Sequence, residues 1–69
     1  MTLEEMEARV KKLSMRATDA RMALHDLSED LPIDWQKIPE VAERTFAIFK
    51  DLDEARKAVK AAKQAEKDA

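Results

Sequence analysis

Sixty-nine residues with no Cys, no Gly and 41% charged side chains make one small domain, residues 1–69, with no disulfide and no thiolate metal site. A chain this short buries a modest core and ordinarily needs a partner surface to complete it. The net charge of −2 gives no general reason to bind nucleic acid.

No apolar run approaches the roughly 20 residues of a membrane span. The acidic start Met1-Thr2-Leu3-Glu4-Glu5 lacks the apolar core of a signal peptide. A cytoplasmic protein without membrane contact is expected. Ala, Glu, Lys, Leu, Arg and Met dominate, the composition of long helices.

Thr2 followed by Glu5 is a capping box: the hydroxyl takes the amide of Glu5 and the carboxylate reaches back. After it come Leu3, Met6, Val10, Leu13, Ala17, Ala20, Leu24, Leu27 and Leu31. Their spacing alternates three and four without a slip, a heptad seam held for about four heptads. It predicts a helix over about 3–29, about 40 Å long. Ala17 and Ala20 thin the middle of the seam, so a partner helix can approach closely there.

Ser28 to Asp34 is the turn. Pro32 cannot continue a helix and drives Leu31 to extended backbone. With no Gly to take a left-handed cap, Asp30 is the residue expected to serve, and Asp34 is expected to cap the next helical segment. Ile33 and Trp35 are expected to close the end of the core.

Pro39 favours a first helical position. A short 3₁₀ turn over Trp35 to Ile38 is therefore expected, then a helix to about residue 66, so that the second helical segment spans about 36–66. Its seam is Ile38, Val41, Thr45, Ile48, Leu52, Ala55, Val59 and Ala62. A second stripe, Ala42, Phe46 and Phe49, lies beside it. From Lys60, and most of all from about 63, the tail holds only Ala, Lys, Glu, Gln and Asp and is expected to fray.

One hairpin can pair seam with seam but has no third element to cover the aromatic stripe. Two hairpins packed together do, as a four-helix bundle. The expected dimer interface is Ala42, Phe46, Phe49, Ile48 and Leu52, since contiguous exposed apolar patches are usually interfacial. The fold expected is all-α: an antiparallel two-helix hairpin that dimerises.

Several of these residues form a pattern: Leu24-His25-Asp26-Leu27, Leu31-Pro32, Trp35-Gln36, Ile38, Val41-Ala42 and an aromatic at Phe46. It resembles a family of short bacterial proteins called Rop-like, encoded in nitrogen-fixation gene clusters beside genes for making and carrying the nitrogenase cofactor. The resemblance covers nearly the whole chain, most specifically Leu24 to Phe49. It implies hairpins that dimerise in the manner of the plasmid regulator Rop, and a nitrogenase assembly protein as a partner. It supplies a biological setting and no reaction. Asp30 stands where the family often has Gly, which touches the turn geometry rather than the fold.

His25 and Glu29 stand four residues apart on one helical face, spaced to reach one divalent metal ion. Asp26 points about 100° away. Two ligands on one helix make a weak site that a second chain or water must complete, and the plainer reading is a solvated His beside a Glu.

Catalysis finds no base-and-orienter arrangement at Ser14 or Ser28. Glu5–Arg9, Glu7–Lys11, Glu40–Arg44 and Asp53–Lys57 are i, i+4 pairs, each only weakly stabilising. Rop binds RNA, so basic stripes matter. Lys11, Lys12, Arg16 and Arg21, or Lys57, Lys60, Lys63 and Lys67, would serve, but interleaved acids and the negative net charge argue against nucleic acid. The reading is a non-catalytic interaction protein, with a metal-binding accessory, an RNA binder and an enzyme behind it in that order.

Overall fold

A computed structural model of the chain describes residues 1–68. It holds two helices and a short connection: α1, Leu3–Asp30, a 3₁₀ turn, Trp35–Lys37, and α2, Ile38–Asp68. No strand occurs among the described residues. The helices run antiparallel as a rod 55 × 16 × 15 Å in extent.

Thr2 starts α1 as the sequence requires. Its hydroxyl accepts from the Glu5 amide at 3.1 Å, and its own amide donates to Glu5 Oε1 at 3.2 Å. Two of the amides that a helix start orphans are thereby satisfied. Glu4 and Glu5 in the first turn also face the positive end of the helix dipole.

The break falls where Pro32 places it. Leu31 ends α1 with extended backbone, φ −56° and ψ 139°, the conformation a following proline favours. The residues from Leu31 to Asp34 then form a turn. The Ile33 amide donates to the Asp30 carbonyl and the Lys37 amide to the Asp34 carbonyl, both at 2.9 Å.

Two expectations change here. The left-handed residue is Asp34, φ 60° and ψ 25°, while Asp30 stays in the helix. Asp34 also makes no side-chain cap bond. Left-handed backbone turns the Asp34 carbonyl to the Lys37 amide, so the main chain starts the 3₁₀ turn. α2 begins at Ile38, one residue before Pro39, so the proline stays in the first turn, where a missing N–H breaks no helical bond. Beyond Lys60 the chain remains helical through Asp68, two residues past the expected end, and Ala69 lies outside the described residues.

The core runs along the two seams. Leu13, Ala17, Leu52 and Ala55 form its centre, and Val10 and Ile48 pack against it. Ala20 and Leu27 carry the burial toward the turn. The alanines let the backbones approach: the Thr45 hydroxyl, which donates to Val41 O at 2.8 Å, lies 3.4 Å from Ala20 O on the other helix. A polar seam residue is thus accommodated because its own helix satisfies it. Among the described residues no large side chain is fully sealed from solvent. A two-helix layer has no second layer to close it.

Ile33 and Trp35 do not close the end of this core. They are 67% and 60% exposed. The turn carries both out past the last buried seam residue, Leu27.

Candidate functional site

The five residues read as a dimer interface separate in the structure. Leu52 is buried and Ile48 half-buried, both packed within the hairpin's own core. Ala42 and Phe46 are exposed and Phe49 is 42% open. The seam positions satisfy themselves against α1, while the neighbouring stripe is turned outward. Phe49 edges a shallow groove between the helices, with Ala17, Leu52, Arg21 and Arg56 around it. Of the five, the exposed apolar side surface is therefore Ala42, Phe46 and Phe49, and α1 exposes Met15 and Met22 as well.

His25 and Glu29 do meet: Nε2 lies 3.0 Å from Oε1, and both side chains are open to solvent. No group of three or more His, Cys, Asp or Glu side chains able to hold a metal ion occurs among the described residues. The two ligands engage each other, and a metal ion would have to displace that contact.

The predicted ion pairs resolve unevenly. Glu40–Arg44 forms at 3.6 Å and Asp53–Lys57 at 3.0 Å. The hydrogen bond and then the charge of Asp53 push the Lys57 ammonium above the usual lysine pKa. Glu5 turns instead to its capping box, and Glu7 reaches across the hairpin to Lys63 at 3.8 Å. All of these pairs are exposed, so each contributes little.

The basic stripe on α2 differs from the one expected from the sequence. Arg56, Lys60, Lys63 and Lys67 line one groove with Val59 and Gln64. Lys11 joins Arg56 and Lys63 in the adjoining groove, with Glu7 in it. Lys57 belongs to the Asp53 pair. Sequence reasoning misses Arg56, although its spacing to residues 60, 63 and 67 places it on their face. It also misses the exposed apolar turn, Leu31, Ile33, Trp35 and Ile38, as a surface. No helix among the described residues is long and apolar enough to cross a membrane.

Comparison with known proteins places this geometry. A family model described as Rop-like matches residues 1–64. A UPF0437 protein of Azorhizobium caulinodans is 53% identical over 58 residues, 84% of each chain. A Frankia alni relative named as a UPF0437 protein in the nifX-nifW intergenic region is 41% identical over 46 residues, 67% of this chain and 56% of that one. An NMR structure solved as a structural-genomics target superposes with a TM-score of 0.85 at 45% identity, covering 93% of this chain and 90% of the other.

Proposed function

This chain belongs to the Rop-like family, and from that premise we propose that it is a non-catalytic interaction protein that serves nitrogen fixation as a cytoplasmic homodimer. The observation that carries the reading is the outward stripe of Ala42, Phe46 and Phe49 beside a core the single hairpin leaves unsealed. A second copy supplies the missing layer, as helical bundles require. Exposed rings in contiguous positions are interfacial more often than solvated. The name of the Frankia relative supports the nitrogen-fixation setting. The partner implied by that setting is a protein of nitrogenase assembly, docked on the bundle's remaining faces.

The test is capture with tagged chain from cells fixing nitrogen and from cells fed ammonium. Proteins of nitrogenase assembly should be enriched in the first alone. Equal recovery under both conditions, with unchanged growth on dinitrogen after deletion of the gene, defeats the proposal.

A second reading rests on His25 and Glu29 standing four residues apart on one solvent-open helical face, where a cation could part their contact and take both. It is weak binding of a divalent cation, with water or a second chain completing the ligand set. Calorimetry with zinc or nickel on untagged protein should then show heat that His25→Ala abolishes. Heat unchanged in that variant removes this reading.

A further inference from the structure

We propose that the tip of the hairpin is a docking site for a partner protein segment with apolar anchors and a Lys/Arg rim. The inference deepens the interaction-protein reading and rests on it, but it concerns a different surface from the aromatic stripe. Phe46 lies eight residues along α2 from Ile38, about 12 Å at 1.5 Å per residue.

Leu31, Ile33, Trp35 and Ile38 are 40%, 67%, 60% and 40% exposed. They come from the turn and its two flanks, so they share one end of the rod. The chain's single Trp is among them. Trp is a usual anchor of binding surfaces, and exposed apolar side chains gathered in one patch mark interaction sites.

The patch is held outward by its backbone. Both ends of the turn are tied, Ile33 to Asp30 and Lys37 to Asp34. Between Ile33 and Trp35 the chain passes through left-handed Asp34, which is not a glycine. Left-handed backbone is unfavourable for a residue with a Cβ, though less so for Asp than for most. Strain of this kind concentrates at clamps and recognition sites. A tied turn also presents its side chains without a loop-ordering cost on binding.

The charge around the patch selects the occupant. Between residues 26 and 40 stand five carboxylates, on Asp26, Glu29, Asp30, Asp34 and Glu40, against one cation, Lys37. That cation already lies 3.8 Å from Asp34. Glu40 is paired with Arg44 just outside this stretch, so Asp26, Glu29 and Asp30 carry the acidic rim. An apolar centre with an acidic rim repels anionic surfaces and complements a segment with apolar anchors flanked by lysine or arginine. A second copy of the chain fits less well here, because a like tip brings a like acidic rim.

Trp35 provides the readout. The 69-residue chain is titrated with a tryptophan-free helical peptide of Leu on one face and Lys on the other, and with its Leu/Glu counterpart. The Leu/Lys peptide should shift Trp35 emission to shorter wavelength, saturably, and added salt should weaken it. The Leu/Glu peptide should leave emission unchanged. Ile33→Ser should lower affinity by about tenfold with helicity and melting retained, since Ile33 contributes little to the core.

The proposal is overturned if both peptides shift the emission alike, if neither does, or if Ile33→Ser binds as the parent does. It is overturned equally if emission of the protein alone shifts with its own concentration where sedimentation finds only dimer, for then a further copy covers the tip. Each of these failures leaves the capture experiment standing, because capture reads partner identity and not the tip.

Discussion

Phe46→Asp is the sharpest perturbation of the proposed dimer, because Phe46 is 71% exposed in the hairpin and contributes little to its own core. Phe49 is 42% exposed. With on the order of 200 Å² of surface per Phe, the two rings leave roughly 220 Å² open in each chain. Covering both copies in a symmetric dimer removes about 450 Å², or about 11 kcal/mol at about 25 cal/mol per Å². That is an upper value, since it takes both rings as fully covered by the second copy. It still exceeds the lower range of association costs, about 4–15 kcal/mol, and rivals the whole stability of a domain, about 5–15 kcal/mol. Phe46 accounts for about 7 kcal/mol of it, worth about five decades in the dimer dissociation constant. The carboxylate adds an unpaired buried charge in each chain.

Sedimentation equilibrium at tens of micromolar should therefore find the parent dimeric and Phe46→Asp monomeric. The parent's melting temperature should rise with protein concentration, and the variant's should not. Phe49→Asp, at a ring that also borders Ala17 and Leu52, should remove cooperative melting too. A Phe46→Asp protein that sediments and melts as the parent does refutes the reasoning, and the stripe then serves another partner.

Thr2→Ala removes the capping hydroxyl and should cost about 1 kcal/mol, which in a chain of this size lowers the melting temperature by about 4–8 °C; circular dichroism melts check it. Asp34→Gly relieves left-handed backbone and should hold or raise stability by up to about 1 kcal/mol, read by urea denaturation; a loss above about 1 kcal/mol would show that the Asp34 side chain matters more than its φ. Asp53→Asn should bring the Lys57 pKa back toward the ordinary lysine value, tracked by NMR of the side-chain resonances. The sign is set by the raised native value: the Asp53–Lys57 contribution is present at neutral pH and disappears as pH climbs through the Lys57 pKa, so the parent should lose slightly more stability than the variant in that alkaline window.

What the sequence determined by itself is the hairpin. The unbroken three–four spacing from Leu3 to Leu31 and from Ile38 to Ala62 sets which side of each helix is apolar. Thr2 with Glu5 sets the start, and Pro32 sets the reversal. All of these act within a turn or two of chain, so local rules suffice to read them.

Tertiary structure decided the rest. Periodicity gives a residue's angle on its own helix, not the rotation of that helix against its neighbour. Only the packed pair shows that Leu52 and Ile48 are already used inside the hairpin while Phe46 is left outside. Likewise Glu7 is spaced for Lys11 but finds Lys63 across the groove. The turn was least legible, because Asp30 and Asp34 are equally able to go left-handed. In this structure Asp34 takes that conformation, and the apolar tip is exposed.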